Sequence, residues 1–248
     1  MSNTRVFVVV AALAALLSSA PGAQAQPSVM DYRWSFDVGL GWDVSLSGNI
    51  NSGAIGTLNG QNVVVVPNSY SDVYGTGFHL RFGGGYLIDE ISEVRAVFTY
   101  QSLNADLTPM GDFGVSTLYG QYDPYRSFGL DVGFRRYFDR GTNVRPYIEG
   151  TFGIGFIKEI DVELSAPSAN FAGRATDFYD QTAAFAFGGA AGVLWQVSDH
   201  FGAYGQVGLR WTTWLSEIDD LAGTGLETIN DDSSRWTMPV VIGMRVRF

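Results

Sequence analysis

Eight segments of the chain alternate apolar and polar residues with a period of two, which is the pattern of β-strands with one covered face. The alternation is unbroken in 236–248, where the apolar face carries Trp236, Met244, Val246 and Phe248. Each segment exceeds the ~9–11 residues that cross a membrane as a tilted strand. The eight segments are approximately 33–46, 74–86, 92–103, 125–138, 145–157, 183–197, 201–214 and 235–248.

The connections between these segments alternate in length. Short turns follow the second, fourth and sixth segments, at 87–91, 139–143 and 198–200. Long polar connections follow the first, third, fifth and seventh, at 47–73, 104–124, 158–182 and 215–234. Short turns at one end, long loops at the other and an even strand number are typical of transmembrane barrels. We therefore predict an all-β fold, an eight-stranded antiparallel up-and-down transmembrane β-barrel with short periplasmic turns and long extracellular loops, closed by pairing of its first and last strands.

One long connection contains a hairpin signal of its own. Asn59-Gly60 separates two short runs, 54–58 and 62–66, and this dipeptide favours the two-residue turn of a β-hairpin. The arms are too short to span a membrane, so we predict a β-extension above it. A ten-stranded barrel that includes both arms is the alternative, since it would keep an even strand number.

The first residues have the pattern of a secretory signal peptide. Arg5 precedes an apolar run at 6–17, and a small-residue A-x-A sequence then ends at Ala25. We predict cleavage between Ala25 and Gln26; an uncleaved anchor is the alternative. Cysteine is absent, which excludes a disulfide scaffold and thiolate chemistry. The chain is predicted to consist of a signal peptide at 1–25 and a single barrel domain at 26–248.

An exported chain could also form a soluble barrel of the lipocalin type, whose apolar face points inward around a ligand. The polar face argues against this, because it combines nearly balanced acids and bases with many glycines, which suit a narrow interior. The apolar face concentrates aromatic residues near the strand ends, including Trp34, Trp42, Trp195 and Trp236. Two aromatic belts around an aliphatic band are typical of a lipid-facing surface.

The alternating strand that ends on Phe248 resembles the terminal recognition strand of bacterial outer-membrane β-barrels. Over 26–248 the chain resembles the small eight-stranded, porin-like barrels of the OmpA-like group, with no motif that selects a subfamily. The resemblance implies the outer membrane of a Gram-negative bacterium, with contacts to its lipids and lipopolysaccharide. It also implies that the outer-membrane assembly machinery reads Trp236, Met244, Val246 and Phe248. No peptidoglycan-binding domain is recognised after the barrel, so tethering to the cell wall is not expected.

The polar face is predicted to line the barrel interior. Eight strands enclose space for side chains or one small ligand, and opposite charges there should pair, because an unpaired buried charge is costly. We predict a charge network that plugs the barrel and fixes strand register, with a structural or surface-interaction role for the protein. The alternative is a narrow pore for small solutes. The network is predicted from Asp37, Asp43, His79, Arg81, Glu93, Arg95, Asp131, Arg135, Glu149, Arg210, Arg245 and Arg247.

Lipid-modifying catalysis is a further alternative, since some outer-membrane enzymes are barrels of similar size. Such chemistry needs a nucleophile activated by a base, often histidine, and His79 and His200 are the only histidines. His79 is predicted to point inward without a neighbouring serine, and His200 to lie in a turn. We therefore expect no catalytic residue, no cofactor and no metal site. The acidic pairs at 219–220 and 231–232 could offer oxygen ligands, but their spacing is not that of a calcium loop.

The long connections carry most of the negative charge. The chain has a formal net charge of −10, and 15 of its 25 acidic residues lie in the four long connections. Charged loops at a water interface explain most of this pattern, and the sharper hypothesis is that they recruit divalent cations or steer a basic partner. Nucleic acid is not expected without a basic patch outside the barrel, and we expect a monomer. The acids include Asp112, Asp123, Glu163, Asp177, Asp180, Glu217, Asp219, Glu227 and Asp231.

Overall fold

The computed structural model describes residues 32–138, 143–216, 223–230 and 233–248, without the side chains of residues 176 and 177. The predicted signal peptide and its cleavage site between Ala25 and Gln26 lie outside the described residues, so they stay predictions. The same holds for Glu217, the acidic pairs at 219–220 and 231–232, and the side chain of Asp177.

Strands dominate the described chain, with one short helix, α1 (Tyr70–Val73), and a 3-10 turn at Pro167–Ala169. Eight long strands close into an antiparallel barrel, and most of the others form sheets beyond one end of it. The strands are β1 (Trp34–Ser47), β2 (Asn49–Asn51), β3 (Ala54–Leu58), β4 (Gln61–Val65), β5 (Asn68–Ser69), β6 (Thr76–Asp89), β7 (Ser92–Leu103), β8 (Thr108–Phe113), β9 (Ser116–Tyr122), β10 (Tyr125–Tyr137), β11 (Val144–Ile157), β12 (Ile160–Ala166), β13 (Phe171–Tyr179), β14 (Thr182–Gln196), β15 (Phe201–Thr212) and β16 (Arg235–Arg247).

The barrel confirms the predicted eight-stranded, up-and-down fold. Its strand order is β1, β16, β15, β14, β11, β10, β7 and β6, and β6 pairs with β1. Every predicted segment matches one of these strands to within three residues at either end. The ten-stranded alternative is wrong, because β3 and β4 pair with each other in a separate sheet.

The first and last strands close the barrel in a continuous register. Phe36 lies opposite Val246 and Trp42 opposite Val240 along the β1–β16 ladder. The end of the barrel that carries the short turns is called the lower end. There the Trp34 N–H donates to the Phe248 carbonyl at 3.1 Å, and the Phe248 N–H donates to the Trp34 carbonyl at 3.0 Å. Closure removes both sheet edges, which satisfies the backbone groups that lipid could not.

The outward face of the barrel is apolar and exposed, while the inward face is polar and buried. In β1 the side chains of Trp34, Leu40 and Trp42 are exposed, whereas Asp37 and Asp43 are fully buried. Exposure of this outward face to water would be unfavourable, because the apolar surface is contiguous. The lipocalin alternative, with its apolar face inward, is therefore wrong.

The aromatic residues on the outer wall depart in part from the predicted two belts. Tryptophans do lie near the strand ends, as in Trp195 on β14 and Trp236 on β16. Phenylalanines, in contrast, also occupy strand centres, as in Phe98 on β7 and Phe152 on β11. This follows from physical chemistry, since the indole N–H favours the interface and the phenyl ring has no polar group to keep there.

The long connections form a second sheet rather than irregular polar loops. This sheet has the strand order β13, β12, β9, β8, β4 and β3, and β2 pairs separately with β5. It continues the barrel wall, because the Asp123 N–H donates to the Asp161 carbonyl at 2.9 Å between the β10–β11 and β9–β12 ladders. We call this six-stranded sheet, together with β2, β5 and α1, the cap.

The predicted hairpin is confirmed as part of the cap. β3 and β4 pair from Ala54 opposite Val65 to Leu58 opposite Gln61. The two turn residues, Asn59 and Gly60, have φ values of 50° and 77°, as a type I′ turn requires. Within the described residues, no helix has the length and apolarity needed to cross a membrane.

Candidate functional site

The lower half of the lumen contains a network centred on Glu93, which is fully buried. Arg245 Nη2 donates to Glu93 Oε1, Ser35 Oγ donates to the same oxygen at 2.7 Å, and the Tyr137 hydroxyl donates to Oε2 at 2.8 Å. Arg95 Nη1 lies 3.4 Å from Glu93 Oε1. One carboxylate thus links side chains from β1, β7, β10 and β16, so it joins both sides of the barrel closure.

A second carboxylate, Glu149 on β11, extends the network across the lumen. Arg81 Nη2 donates to its Oε1, and Arg135 Nε donates to its Oε2 at 2.8 Å. Arg95 connects the two centres, because its Nε lies 3.4 Å from Glu149 Oε2 while its Nη2 donates to Asp37. Four guanidinium groups and three carboxylates therefore fill this level of the barrel.

Glycines on the same inward face make room for these side chains. A Cβ atom at Gly85 would lie 1.8 Å from Glu93 Oε1, and one at Gly83 would lie 2.3 Å from Arg95 Nη2. Real Cβ atoms do not approach so closely, so any larger residue would displace the ion pairs. Gly83 and Gly85 on β6 are thus explained by the volume of the charged side chains that they face, Arg95 and Glu93.

Two further ion pairs lie in the upper half of the lumen. Arg210 binds Asp131 through two hydrogen bonds, of 2.6 and 3.0 Å, the parallel geometry that favours arginine over lysine. Arg235 Nη2 donates to Asp43 at 3.2 Å, and its guanidinium carbon lies 4.3 Å from the centroid of the Tyr125 ring. Charged side chains therefore follow the lumen along most of its length.

His79 and a small cavity lie between the two levels. The cavity has a volume of about 30 Å³ and is lined by His79, Arg81, Asp131, Glu149 and Arg210 among others. That volume has room for about two water molecules. His79 is buried, and its Nδ1 has no hydrogen-bond partner within the described residues.

The structure places all twelve predicted network residues in the lumen, but it does not bring all of them together. Nine are joined in the ion pairs described above, and Asp43 is joined to Arg235. His79 and Arg247 make no ion pair with any residue that the structure describes. Arg247 lies at the periplasmic end, where it is buried opposite Ser35.

Sequence reasoning omitted two buried arginines from the network. Arg235 is fully inside the upper lumen, and Arg145 is buried near the periplasmic end, where its Nη2 donates to the Glu90 carbonyl at 2.6 Å. Strand parity was the available signal, because Arg145 shares a face with Glu149 and Arg235 shares a face with Arg245. Within the described residues, the lumen therefore carries eight arginines and five carboxylates.

The cap covers the extracellular mouth with an apolar core. Its inward side chains, including Ile50, Met110 and Phe178, pack with Leu103 and Ile157 from the ends of barrel strands. Tyrosine hydroxyls tie the cap together. The three hydrogen bonds are Tyr122 to Asn51 Oδ1 at 2.9 Å, Tyr179 to the Ile50 carbonyl at 2.7 Å, and Tyr70 to the Ser233 carbonyl at 3.1 Å.

Burial has an electrostatic consequence for the phenols of the cap. It raises the pKa of Tyr70 and of Tyr122 well above the ordinary tyrosine value, since neither phenolate could be solvated there. Both residues therefore remain neutral donors at any physiological pH. The hydrogen bonds that these two hydroxyls donate do not titrate.

A closed barrel with a charged interior and an exposed apolar wall is the construction that a lipid bilayer requires. The chain is an eight-stranded β-barrel of the outer-membrane type. Its four terminal-strand positions fit this placement, since Trp236, Met244 and Phe248 are exposed on the outer wall and Val246 is half-buried there. Their recognition by the assembly machinery stays a prediction.

No protein-family model and no curated protein matches the sequence. Among solved structures, Neisserial surface protein A is similar with a TM-score of 0.43 and 13% identity, over 87% of this chain and 97% of that chain. The outer membrane protein OprG from Pseudomonas aeruginosa has a TM-score of 0.41 and 12% identity, over 88% and 97%. Ail, the attachment invasion locus protein of Yersinia pestis, has a TM-score of 0.39 and 10% identity, over 87% and 99%.

These likenesses are too distant to carry any statement about activity. The barrel class follows from the closed strand order and from the exposed apolar wall of this chain itself. In the described part of the chain, no group of three or more histidine, aspartate or glutamate side chains could hold a metal ion.

Proposed function

We propose that this protein is a non-conducting outer-membrane barrel whose role is structural or lies in surface interaction through its cap. The observation that carries the proposal is the filled lumen. The network around Glu93 and Glu149 occupies the lower half, and the pairs of Arg210 and Arg235 occupy the upper half. A solute would have to separate these guanidinium groups from the carboxylates that they bind.

The cap supports a role at the cell surface. On its outer face Ile55 lies opposite Val64, and both side chains are exposed, Ile55 at 75%. Val64 in turn lies opposite Asp112 on β8. Apolar side chains left exposed beside a carboxylate are suited to contact with another molecule. Divalent cations or a basic partner remain the proposed ligands of the acidic positions, and the barrel itself is proposed to act as a monomer.

Conductance in planar bilayers tests the closed lumen. The purified full chain is expected to give no discrete channel openings above those of a protein-free detergent control. Arg174→Gln, on the outer face of the cap, serves as a matched charge control and should behave in the same way. Reproducible openings that weaken in Arg81→Gln or Arg245→Gln would contradict the proposal and favour the narrow pore.

A further inference from the structure

Two cations lie side by side on the outer wall, at the level where the barrel passes into the cap. The Lys158 N–H donates to the Arg126 carbonyl at 2.9 Å, which continues the ladder that pairs Phe128 with Phe156. Residues two apart on a strand share a face. Arg126 and Lys158 therefore extend outward, directly above a pair of exposed phenyl rings.

This arrangement is unfavourable unless an anion is present. Like charges directly opposite each other on neighbouring strands destabilise a sheet. Arg126 makes no ion pair with any of the described residues, while Lys158 Nζ lies 3.4 Å from a single carboxylate, that of Glu159. Asp161, a further acid of the same connection, is bound to Arg174 at 2.5 Å and so already has a cationic partner. Among the described residues, Glu159 therefore has the one carboxylate within ion-pair distance of either cation.

Adjacent cations on the outer surface, such as Arg126 and Lys158, are rare in this acidic chain. Lys158 is the sole lysine in the sequence. The described arginines are mostly turned into the lumen, and those on the outer wall besides Arg126 are Arg33 and Arg136 at the opposite rim and Arg174 farther out on the cap. The outer rim of the barrel therefore has one adjacent pair of cations, immediately beyond the apolar band.

We propose that Arg126 and Lys158 bind the phosphate groups of a phosphorylated glycolipid in the outer leaflet, with its acyl chains against Phe128 and Phe156. Lipid headgroups lie immediately beyond the apolar band of a barrel. Arginine binds two phosphate oxygens at once and lysine adds a point charge. A small soluble anion would make no use of the phenyl rings below. The proposal rests on the outward orientation of the long connections.

Lipid titration tests the site directly. The full chain in detergent micelles is titrated with lipid A that carries two phosphates, and bound copies are counted by native mass spectrometry. The double variant Arg126→Gln/Lys158→Gln should bind roughly thirty-fold more weakly, from the contribution of each surface cation to an anionic lipid. The matched control, Arg33→Gln/Arg136→Gln, removes the same charge from the opposite rim and should bind as the parent does.

Two competing lipids distinguish the source of the phosphate. Lipid A without phosphates should not compete for the site, and phosphatidylglycerol should compete only weakly because it offers one diester. Equal competition by phosphatidylglycerol would overturn the glycolipid assignment. Equal binding by the double variant and the parent would overturn the site itself. These outcomes are separate from conductance, so either proposal can fail without the other.

The single lysine supplies a second measurement that needs no variant. An amine-reactive reagent should label Lys158 in phosphatidylcholine vesicles, and the label is read on its peptide by mass spectrometry. Vesicles that also contain bisphosphorylated lipid A should protect Lys158 in proportion to occupancy. Labelling that is unchanged by lipid A would overturn the proposal even if the double variant failed to fold.

Discussion

At the scale of single residues, Glu93 is the position where the lumen network depends most on one charge. It accepts hydrogen bonds from Arg245, Ser35 and Tyr137. Glu93→Gln keeps the volume but leaves the buried guanidinium group of Arg245 without its carboxylate partner, which typically costs about 3–5 kcal/mol. We expect the free energy of unfolding to fall by about that amount, measured by urea titration of the chain in lipid vesicles.

The matched control for this substitution is Glu163→Gln, on the outer face of the cap. Its side chain is exposed, so its unfolding free energy should change by less than about 0.5 kcal/mol. A double variant, Glu93→Gln/Arg245→Met, should lose less stability than the two single changes together, since neither charge is then left alone. If Glu93→Gln is as stable as Glu163→Gln, the network does not stabilise the barrel.

Which residues face the lumen was largely predictable from the sequence, because alternate residues of a strand lie on opposite faces. To place each of the twelve predicted side chains in the lumen, only the pattern of its own strand and the assignment of the apolar face to the outside were needed. Their pairing was not predictable, because Arg245 and Glu93 meet only when the barrel closes β1 against β16. Arg145 was missed for another reason: it is the second residue of its strand and precedes Pro146, where alternation is hard to recognise.

At the scale of elements, the β3–β4 hairpin depends on the backbone of its turn. Gly60 has a φ of 77°, and a Cβ atom there would meet nothing within 4 Å. Gly60→Ala therefore introduces backbone strain alone, of about 1 kcal/mol. We expect the amides of β3 and β4 to exchange with deuterium roughly fivefold faster, measured by mass spectrometry of their peptides.

Gly84→Ala is the matched control for the hairpin turn. A Cβ atom at Gly84 also meets nothing within 4 Å, and its φ is not positive. It should leave exchange in β6 unchanged or slightly slower, because alanine reduces the entropy of the unfolded chain. Equal effects of the two substitutions would show that the turn conformation does not control the hairpin.

The same hairpin shows which elements a sequence can predict. Its Asn-Gly turn and two flanking runs are local, as is the alternation of the barrel strands. β8, β9, β12 and β13 carry weaker signals, since their pairing joins connections far apart in the chain, such as Val162 opposite Tyr122. Their apolar residues are spread through segments that read as polar loops. The cap thus depends on contacts between connections that come together only in the folded barrel.

At the scale of the whole molecule, the passage through the barrel is blocked at two places by different physical means. The lumen is filled by ion pairs that depend on the barrel strands alone. The mouth is covered by an apolar core that depends on the connections, although it includes Leu103 and Tyr125 from barrel strands. Because the two closures share few side chains, removal of one should leave the other.

Replacement of 104–124 by a short glycine-containing turn separates the two closures, since it removes β8 and β9. The flanking strands β7 and β10 keep their own ladder, which begins with Leu103 opposite Tyr125. We expect the variant to keep the heat-modifiable gel mobility of a folded barrel and to remain non-conducting, while limited proteolysis cuts the remaining cap segments faster. Loss of heat-modifiable mobility would show that cap and barrel fold as one unit. New channel openings would show that the cap, rather than the arginine network, closes the lumen.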